Sequence, residues 1–297
     1  MGILEGRAAV VTGGGRGIGR GHCLHLARQG AAVVVNDVDA DEAGAVAREI
    51  AQEGGRACAD ASDVGSRAGA RALVARCVDE YGAIHALVNN AGNVRDRSFL
   101  KMSDEEFGEV LRVHVHGTFM CAQEAALRMR EQRTGGSIVN TVSAAHFGNF
   151  GQTNYAGAKG AIASMTYTWA VELLRFGIRV NAISPSGTTR MSQSAKLPGG
   201  AETPEGWFLD PTLNGPFVAW LCSDDGSWVT GQLFGVGGQR VALVLQPRYG
   251  TTMFHADGWS VEALCQQMKP FFGGRLEPYG LAKQPYAHYG GVKPQAE

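Results

Sequence analysis

Short apolar runs and amphipathic stretches alternate from the start of the chain. Ala8-Ala-Val-Val-Thr12 is almost continuously apolar, as expected for a strand buried on both faces. A glycine-rich turn from Gly13 to Gly19 and a helical stretch to about Gln29 follow it. Gly30 stops that helix, and residues 30–37, centred on Val33-Val-Val35, make a second buried strand. Strand, turn, helix and strand in quick succession form a βαβ unit, which demands a parallel sheet. Further strands are expected at 57–60, 84–88, 137–141, 178–183 and 231–236. Helices are expected at 66–81, 104–130, 152–175 and near 215–223, with Ser103 and Glu106 as a capping box for the second of them. The pattern predicts an α/β fold, a single domain built on a doubly wound parallel sheet of about seven strands over residues 1–240. A segment rich in Ser, Thr, Gly and Pro, 186–213, reads as a loop on the substrate side. Residues 241–297 read as a C-terminal extension, too short for a second domain, with one helical piece near 261–268.

Composition narrows the function classes. A net charge of −1 gives no electrostatic case for nucleic acid or an acidic membrane surface, and no apolar run reaches membrane-spanning length. Glycine, at 42 residues, is about twice its usual share, so the chain has many tight turns or brings backbone close to a ligand. The six cysteines show no Cys-x-x-Cys pair and read as buried free thiols. The N-terminal residues carry no cationic leader, so the expected compartment is the cytoplasm.

Three groups of residues carry candidate chemistry. The glycine-rich turn, with Gly13, Arg16, Gly17, Ile18 and Gly19, lets backbone amides approach a pyrophosphate at a helix N-terminus. Asp37 closes the second strand, where a carboxylate accepts from ribose hydroxyls and repels a 2′-phosphate, which argues for NAD over NADP. Arg16 points weakly the other way, since an arginine in this turn could meet a 2′-phosphate. Asp60 and Ala61 would lie beside the adenine, and the small residues of Asn89-Asn-Ala-Gly92 suit close passage of a cofactor over backbone. The third group is Ser143, Tyr155 and Lys159. Tyr155 and Lys159 are one helical turn apart, so an ammonium stands where it favours the phenolate and lowers the phenol's pKa. Ser143, at a strand end, could bind the same substrate oxygen. That is a site for moving a proton to or from an alcohol or carbonyl oxygen.

Taken in order, Thr12-Gly-Gly-Gly-Arg-Gly-Ile-Gly19, Asn89-Asn-Ala-Gly92, Ser143, Tyr155-x-x-x-Lys159 and Pro185 resemble the short-chain dehydrogenase/reductase family. The residues 89–99, 148–155 and Arg190-Met191 are most similar to the (3R)-hydroxyacyl-CoA dehydrogenase part of multifunctional enzyme type 2 and its free-standing bacterial relatives. The resemblance implies a Rossmann-type sheet and NAD-dependent interconversion of a secondary alcohol and a ketone, on a 3-hydroxyacyl-CoA or hydroxysteroid-type substrate. Tyr155 would be the general acid/base, Lys159 would lower its pKa and hold the nicotinamide ribose, and Ser143 would orient the substrate. Asn89, Ala91, Gly92, Pro185 and Thr188 would join the cofactor site. The other readings are a reductase of a 3-oxoacyl or cyclic ketone, and a non-catalytic NAD-binding scaffold. Family members commonly pair their long helices across two-fold axes, so a homodimer or homotetramer is expected.

Two departures stand out. His114 occupies the place where the family usually has a relay asparagine, so it is either a member of a different relay or a core histidine. Ser143 lies one residue nearer Tyr155 than the family norm, and an ungapped count would put Val142 in its place. No metal is expected: His22 and His25 are suitably spaced but lack a third ligand. His146 could contact a ligand, and Trp207, Phe208 and Trp220 could line an apolar pocket or simply fill the core.

Overall fold

The computed structural model describes residues 2–190 and 208–281. Most of the loop 186–213 therefore lies outside the described residues, as do Met191, Trp207 and the end of the extension.

An eight-stranded sheet forms the centre of the fold. Its strands are β1 (Ala8–Thr12), β2 (Ala32–Asn36), β3 (Arg56–Asp60), β4 (Ala86–Asn89), β5 (Gly136–Thr141), β6 (Ile178–Pro185), β7 (Leu233–Gly237) and β8 (Arg240–Val244). They lie in the order β3-β2-β1-β4-β5-β6-β7-β8, and the first seven are parallel. β8 is antiparallel to β7 and raises the expected seven strands to eight. It lies largely within the residues expected as the extension, and its outward residues, Val241 and Leu243, are each 55% exposed, unlike the interior strands.

The helices are α1 (Gly17–Arg28), α2 (Ala40–Gln52), α3 (Arg67–Tyr81), α4 (Asp104–Leu111), α5 (Gly117–Gln132), α6 (Thr153–Leu173), α7 (Gly215–Cys222) and α8 (Val261–Phe272). Alternation along the strands divides the core between two layers of them. In β2, Val33 and Val35 pack with Ile50 of α2 and Leu26 of α1, whereas Val34 packs with Leu73 of α3 and Met129 of α5. Helix α2 was not foreseen, although Asp39 caps it by accepting from the Glu42 amide. The single helix expected over 104–130 is instead α4 and α5 joined by a π-helical turn, Arg112–His116. The Ser103–Glu106 capping box forms as expected.

Cys23, Cys77, Cys121 and Cys222 are buried free thiols, but Cys58 is half-buried and Cys265 exposed. Cys265 sits on α8, which has no buried residue, so the expectation of six buried thiols fails there. The extension returns to the connection between β5 and α6: the amide of Leu281 donates to the Gly148 carbonyl at 2.7 Å, and Leu281 is buried. No described helix is long and apolar enough to cross a membrane.

His22 is fully buried on α1, and neither ring nitrogen has a partner among the described residues. Burial, with the nearby charge of His25, pushes it down to about 3 from an ordinary 6.5. A buried polar group without partners costs stability. His22→Leu is therefore expected to raise stability at neutral pH by about 1 kcal/mol. Below pH 6.5 the unfolded chain takes up a proton at His22 that the folded chain refuses until about 3, so that stability falls with pH over this window. The variant's advantage in denaturant titrations should thus widen between those limits, and an equal or lower stability throughout would contradict it.

Candidate active site

The strand order turns at β1, whose neighbours are β2 and β4, and the loops leaving the C-terminal ends of β1 and β4 meet there. Thr12 and Asn90 stitch these loops together. The Thr12 hydroxyl accepts from the amides of Asn90 and Ala91, both at 3.0 Å. Asn90 Nδ2 donates to the carbonyls of Thr12 at 3.1 Å and Gly13 at 2.9 Å. Gly13 has φ +62° and a Cβ there would lie 2.8 Å from the Ala91 Cα, so the turn requires glycine. At Gly19 a Cβ would collide with the Gly13 carbonyl. Gly17 and Ile18 open α1, whose first turn holds no acidic residue and whose N-cap, Arg16, makes no side-chain cap. The amides at that end are left to a ligand.

The acidic side of this cradle is equally defined. Asp37 Oδ2 accepts from the Gly15 amide at 3.2 Å and Oδ1 from the Asp39 amide at 3.1 Å. Arg16 is ion-paired with Asp39 and with Glu42, the latter at 2.9 Å. Asp60, beside Ala61, accepts from Asn36 Nδ2 at 2.8 Å and from the Ser62 amide at 2.9 Å. Asn89 is buried and donates to Asn140 Oδ1 at 3.0 Å, so its side chain braces the sheet. Pro185 ends β6, and Thr188 exchanges hydrogen bonds with Leu209, its amide donating at 2.7 Å and its hydroxyl accepting at 2.9 Å. These residues fit a dinucleotide: a glycine cradle with no room for side chains, an uncapped helix end and a carboxylate at the second strand.

Past β5 the chain brings the remaining candidates together. Ser143 caps the short 3-10 turn Ala144–Phe147 and hydrogen-bonds the Tyr155 phenol. Val142 is buried in the core with Ile162 and Leu233, and Ser143 after it is the residue that meets Tyr155. Lys159 is 2% exposed, its Nζ donating to the Thr141 carbonyl at 2.6 Å and standing 5.5 Å from the Tyr155 ring centre. His114 lies edge-on to Tyr155 with ring centres 5.3 Å apart. Its Nε2 is 2.8 Å from the Asn93 carbonyl and 3.0 Å from the Asn93 amide, bonding one or the other by tautomer. Its Nδ1 has no partner among the described residues. The π-helical turn carries His114 up to Gly92, where any Cβ would strike the imidazole.

The electrostatics differ from the expectation at one point. Burial pushes the Tyr155 phenol up, the Ser143 hydrogen bond pulls it down, and Asp96 pushes it up again. Burial also pushes Lys159 down to about 7. The ammonium that was expected to lower the phenol is thus only partly charged near neutrality, and the phenol, raised by burial, is neutral in the resting site. His114 is lowered to about 3 by burial and by Lys159, and is neutral.

Asn154, which the sequence reading passed over, anchors this helix end. Its Nδ2 donates to the carbonyls of Arg95 at 2.9 Å and Glu106 at 3.0 Å, and its Oδ1 accepts from the Tyr155 amide at 2.7 Å. Only its position before Tyr155 could have signalled it. His146 stacks on Phe147 at 4.3 Å and contacts the Ser143 carbonyl through Nδ1. Trp220 packs among Phe217 and Trp228, and Phe208 is half-buried. Among the described residues no group of three or more His, Cys, Asp or Glu is placed to hold a metal.

Comparison with known proteins agrees with this geometry. The family model described as short chain dehydrogenase matches residues 7–197. The hydroxyacyl-CoA dehydrogenase ChsB1 of Mycobacterium tuberculosis is 40% identical over 293 residues, covering 92% of this chain and 90% of that protein. The peroxisomal multifunctional enzyme type 2 of Mus musculus is 36% identical over 243 residues, 79% of this chain but 32% of that larger protein. A solved 7α-hydroxysteroid dehydrogenase, complexed with NADH and 7-oxo glycochenodeoxycholic acid, superposes with a TM-score of 0.69 at 31% identity, over 80% of this chain and 94% of that one. The family typically uses NAD or NADP. The chain belongs to the short-chain dehydrogenase family and is an oxidoreductase acting on CH–OH groups.

Proposed function

We propose that the chain interconverts a secondary alcohol and a ketone with NAD, on a 3-hydroxyacyl-CoA or hydroxysteroid-type substrate. The observation that carries this reading is the Ser143–Tyr155 hydrogen bond with Lys159 buried one turn away, beside the glycine cradle. When bound, the nicotinamide supplies the hydride acceptor. Ser143 orients the substrate oxygen, and Tyr155 takes the hydroxyl proton in oxidation or returns it in reduction. Lys159 bonds the nicotinamide ribose and carries charge towards the phenol once its Nζ is drawn from Thr141. His114 stays neutral and supports the Tyr155 ring, with Nδ1 free to bond a water in the proton path.

Asp37 favours NAD, and the pairing of Arg16 with two carboxylates removes the chief argument for NADP. Gly13, Gly17, Ile18 and Gly19 would hold the pyrophosphate, Asp60 and Ala61 the adenine side, and Ala91, Gly92, Pro185 and Thr188 the nicotinamide side. Asn89 would act indirectly, through Asn140. The substrate class rests on the named relatives, one a hydroxyacyl-CoA dehydrogenase and one a hydroxysteroid dehydrogenase. The neutral Tyr155 phenol is a ready acid and supports the second reading, reduction of a 3-oxoacyl or cyclic ketone.

Initial rates at the reduced-nicotinamide absorbance, with NAD and then NADP against 3-hydroxyacyl-CoA esters and hydroxysteroids, test the assignment. Turnover with NAD on one class is the expected result, and activity confined to NADP would overturn the cofactor assignment. The same reading includes a homodimer or homotetramer. Phe119, Leu127 and Trp169 line an apolar groove between α5 and α6, and Val171 on α6 is 81% exposed. Light scattering should give a mass two or four times that of the chain, and a monomer would refute the pairing.

A further inference from the structure

We propose that Asp39 and Glu42 set the choice of dinucleotide by holding the Arg16 guanidinium in ion pairs, so that this corner of the site rejects a ribose 2′-phosphate. The inference rests on the NAD reading above and deepens it: there the Arg16 pairs only removed an argument for NADP, whereas here they act against a 2′-phosphate.

Arg16 stands in the glycine-rich turn, where a free guanidinium would be a ready partner for a phosphate dianion. It is not free. Asp39 pairs with its Nη2, and Glu42 Oε1 lies 2.9 Å from its Nε. Glu42 is shared with Arg190, whose Nη2 is 4.0 Å away. The next arginine of α1, Arg20, is held by Glu49 through Nε at 2.9 Å. With Asp37 included, four carboxylates face three guanidiniums, and the corner keeps a negative balance. A 2′-phosphate entering there must either break the Arg16 pairs or sit against unbalanced carboxylates.

The acids are fixed in place by the backbone. Asp39 is the N-cap of α2, its Oδ1 accepting from the Glu42 amide at 3.4 Å, and its own amide is bonded to Asp37. A Cβ on Gly15 would lie 2.9 Å from both Asp37 Oδ2 and the Glu42 Cβ, so the turn lies directly against two of the three acids. The paired side chains are substantially exposed, at 39% for Arg16, 40% for Asp39 and 35% for Glu42. Ion pairs this exposed add little to folding stability. Their effect falls on the charge that an incoming ligand meets.

The test is calorimetric titration of NAD+ and NADP+ onto the wild-type protein, the double variant Asp39→Asn/Glu42→Gln, and the same double variant carrying Arg16→Met. Asparagine caps a helix as well as aspartate does, so α2 keeps its start. The double variant should bind NADP+ roughly tenfold or more tighter than wild type, the worth of one charge-assisted hydrogen bond. Its affinity for NAD+ should stay within about twofold, well below the effect of one such bond. Adding Arg16→Met should cancel the gain. A ratio of the two affinities that the double variant leaves unchanged overturns the proposal, as does a gain that survives without Arg16. Loss of both ligands also overturns it, because the pairs would then hold the turn together and not select between ligands. Wild-type protein that binds NADP+ as tightly as NAD+ refutes the underlying NAD reading, before any variant is compared.

Discussion

Tyr155→Phe is expected to slow turnover about a hundredfold to ten-thousandfold, the usual worth of a positioned general acid or base, while NAD+ still binds. The phenol hydrogen-bonds Ser143 at the end of β5, and the variant removes a single oxygen from the helix face. The ring remains to pack edge-on against His114, so the local structure should persist. Rates compared with calorimetric NAD+ affinity separate the two effects. A variant that retains more than about a tenth of the wild-type rate would be too active for a lost acid/base and would remove Tyr155 from that role.

Lys159→Met is expected to act in opposite directions on activity and stability. Activity should fall roughly tenfold to a hundredfold, the loss of one charge-assisted hydrogen bond. Stability of the ligand-free protein should rise by about 2 kcal/mol near neutral pH, because a buried ammonium is replaced by an apolar chain of similar length. The pH dependence has a definite sign. Burial lowers Lys159 from 10.5 unfolded to about 7 folded, so between these values the unfolded chain holds more protons and stability rises with pH. The penalty is complete below about 7 and relieved as pH approaches 10.5. The variant's advantage in denaturant midpoints should therefore be greatest below neutrality and shrink in alkali. A variant less stable at every pH would mean that the bond to the Thr141 carbonyl outweighs the burial of charge.

The sequence was most legible where the period of the chain decides the structure. Val33, Val34 and Val35 read as a doubly buried strand, and the structure divides them between two helix layers as alternation requires. The four-residue spacing of Tyr155 and Lys159 likewise put both on one helix face, where they are found. What spacing could not carry was the environment. It supplied an ammonium to lower the phenol, whereas the depth of α6 against β5 raises the phenol and brings the lysine down to about 7. The count between Ser143 and Tyr155 left Val142 as a rival, which only the packing of Val142 among Ile162 and Leu233 places in the core.

Other features depended on tertiary contacts with no sequence period. The residues Val113-His-Val-His116 carry an ordinary helical pattern, and their π-helical turn is recognised only where His114 meets Gly92 and Asn93. β8 is an apolar run, Val241-Ala-Leu-Val244, like the buried strands, and only its antiparallel pairing with β7 shows that it joins the sheet. Asn90 and Asn154 act through backbone carbonyls from distant segments, which a residue type alone does not reveal.

The central claim is that Tyr155 carries the substrate's proton and that Lys159 tunes it. The pH dependence of kcat/KM for alcohol oxidation, measured on the wild-type protein and Lys159→Met with the best alcohol of the substrate panel, tests it most directly. Oxidation needs the phenolate, so the wild-type rate should climb with pH along a limb of unit slope, and loss of the ammonium should move that limb to higher pH. A wild-type profile that is flat, or a limb that the lysine substitution leaves in place, would contradict the account.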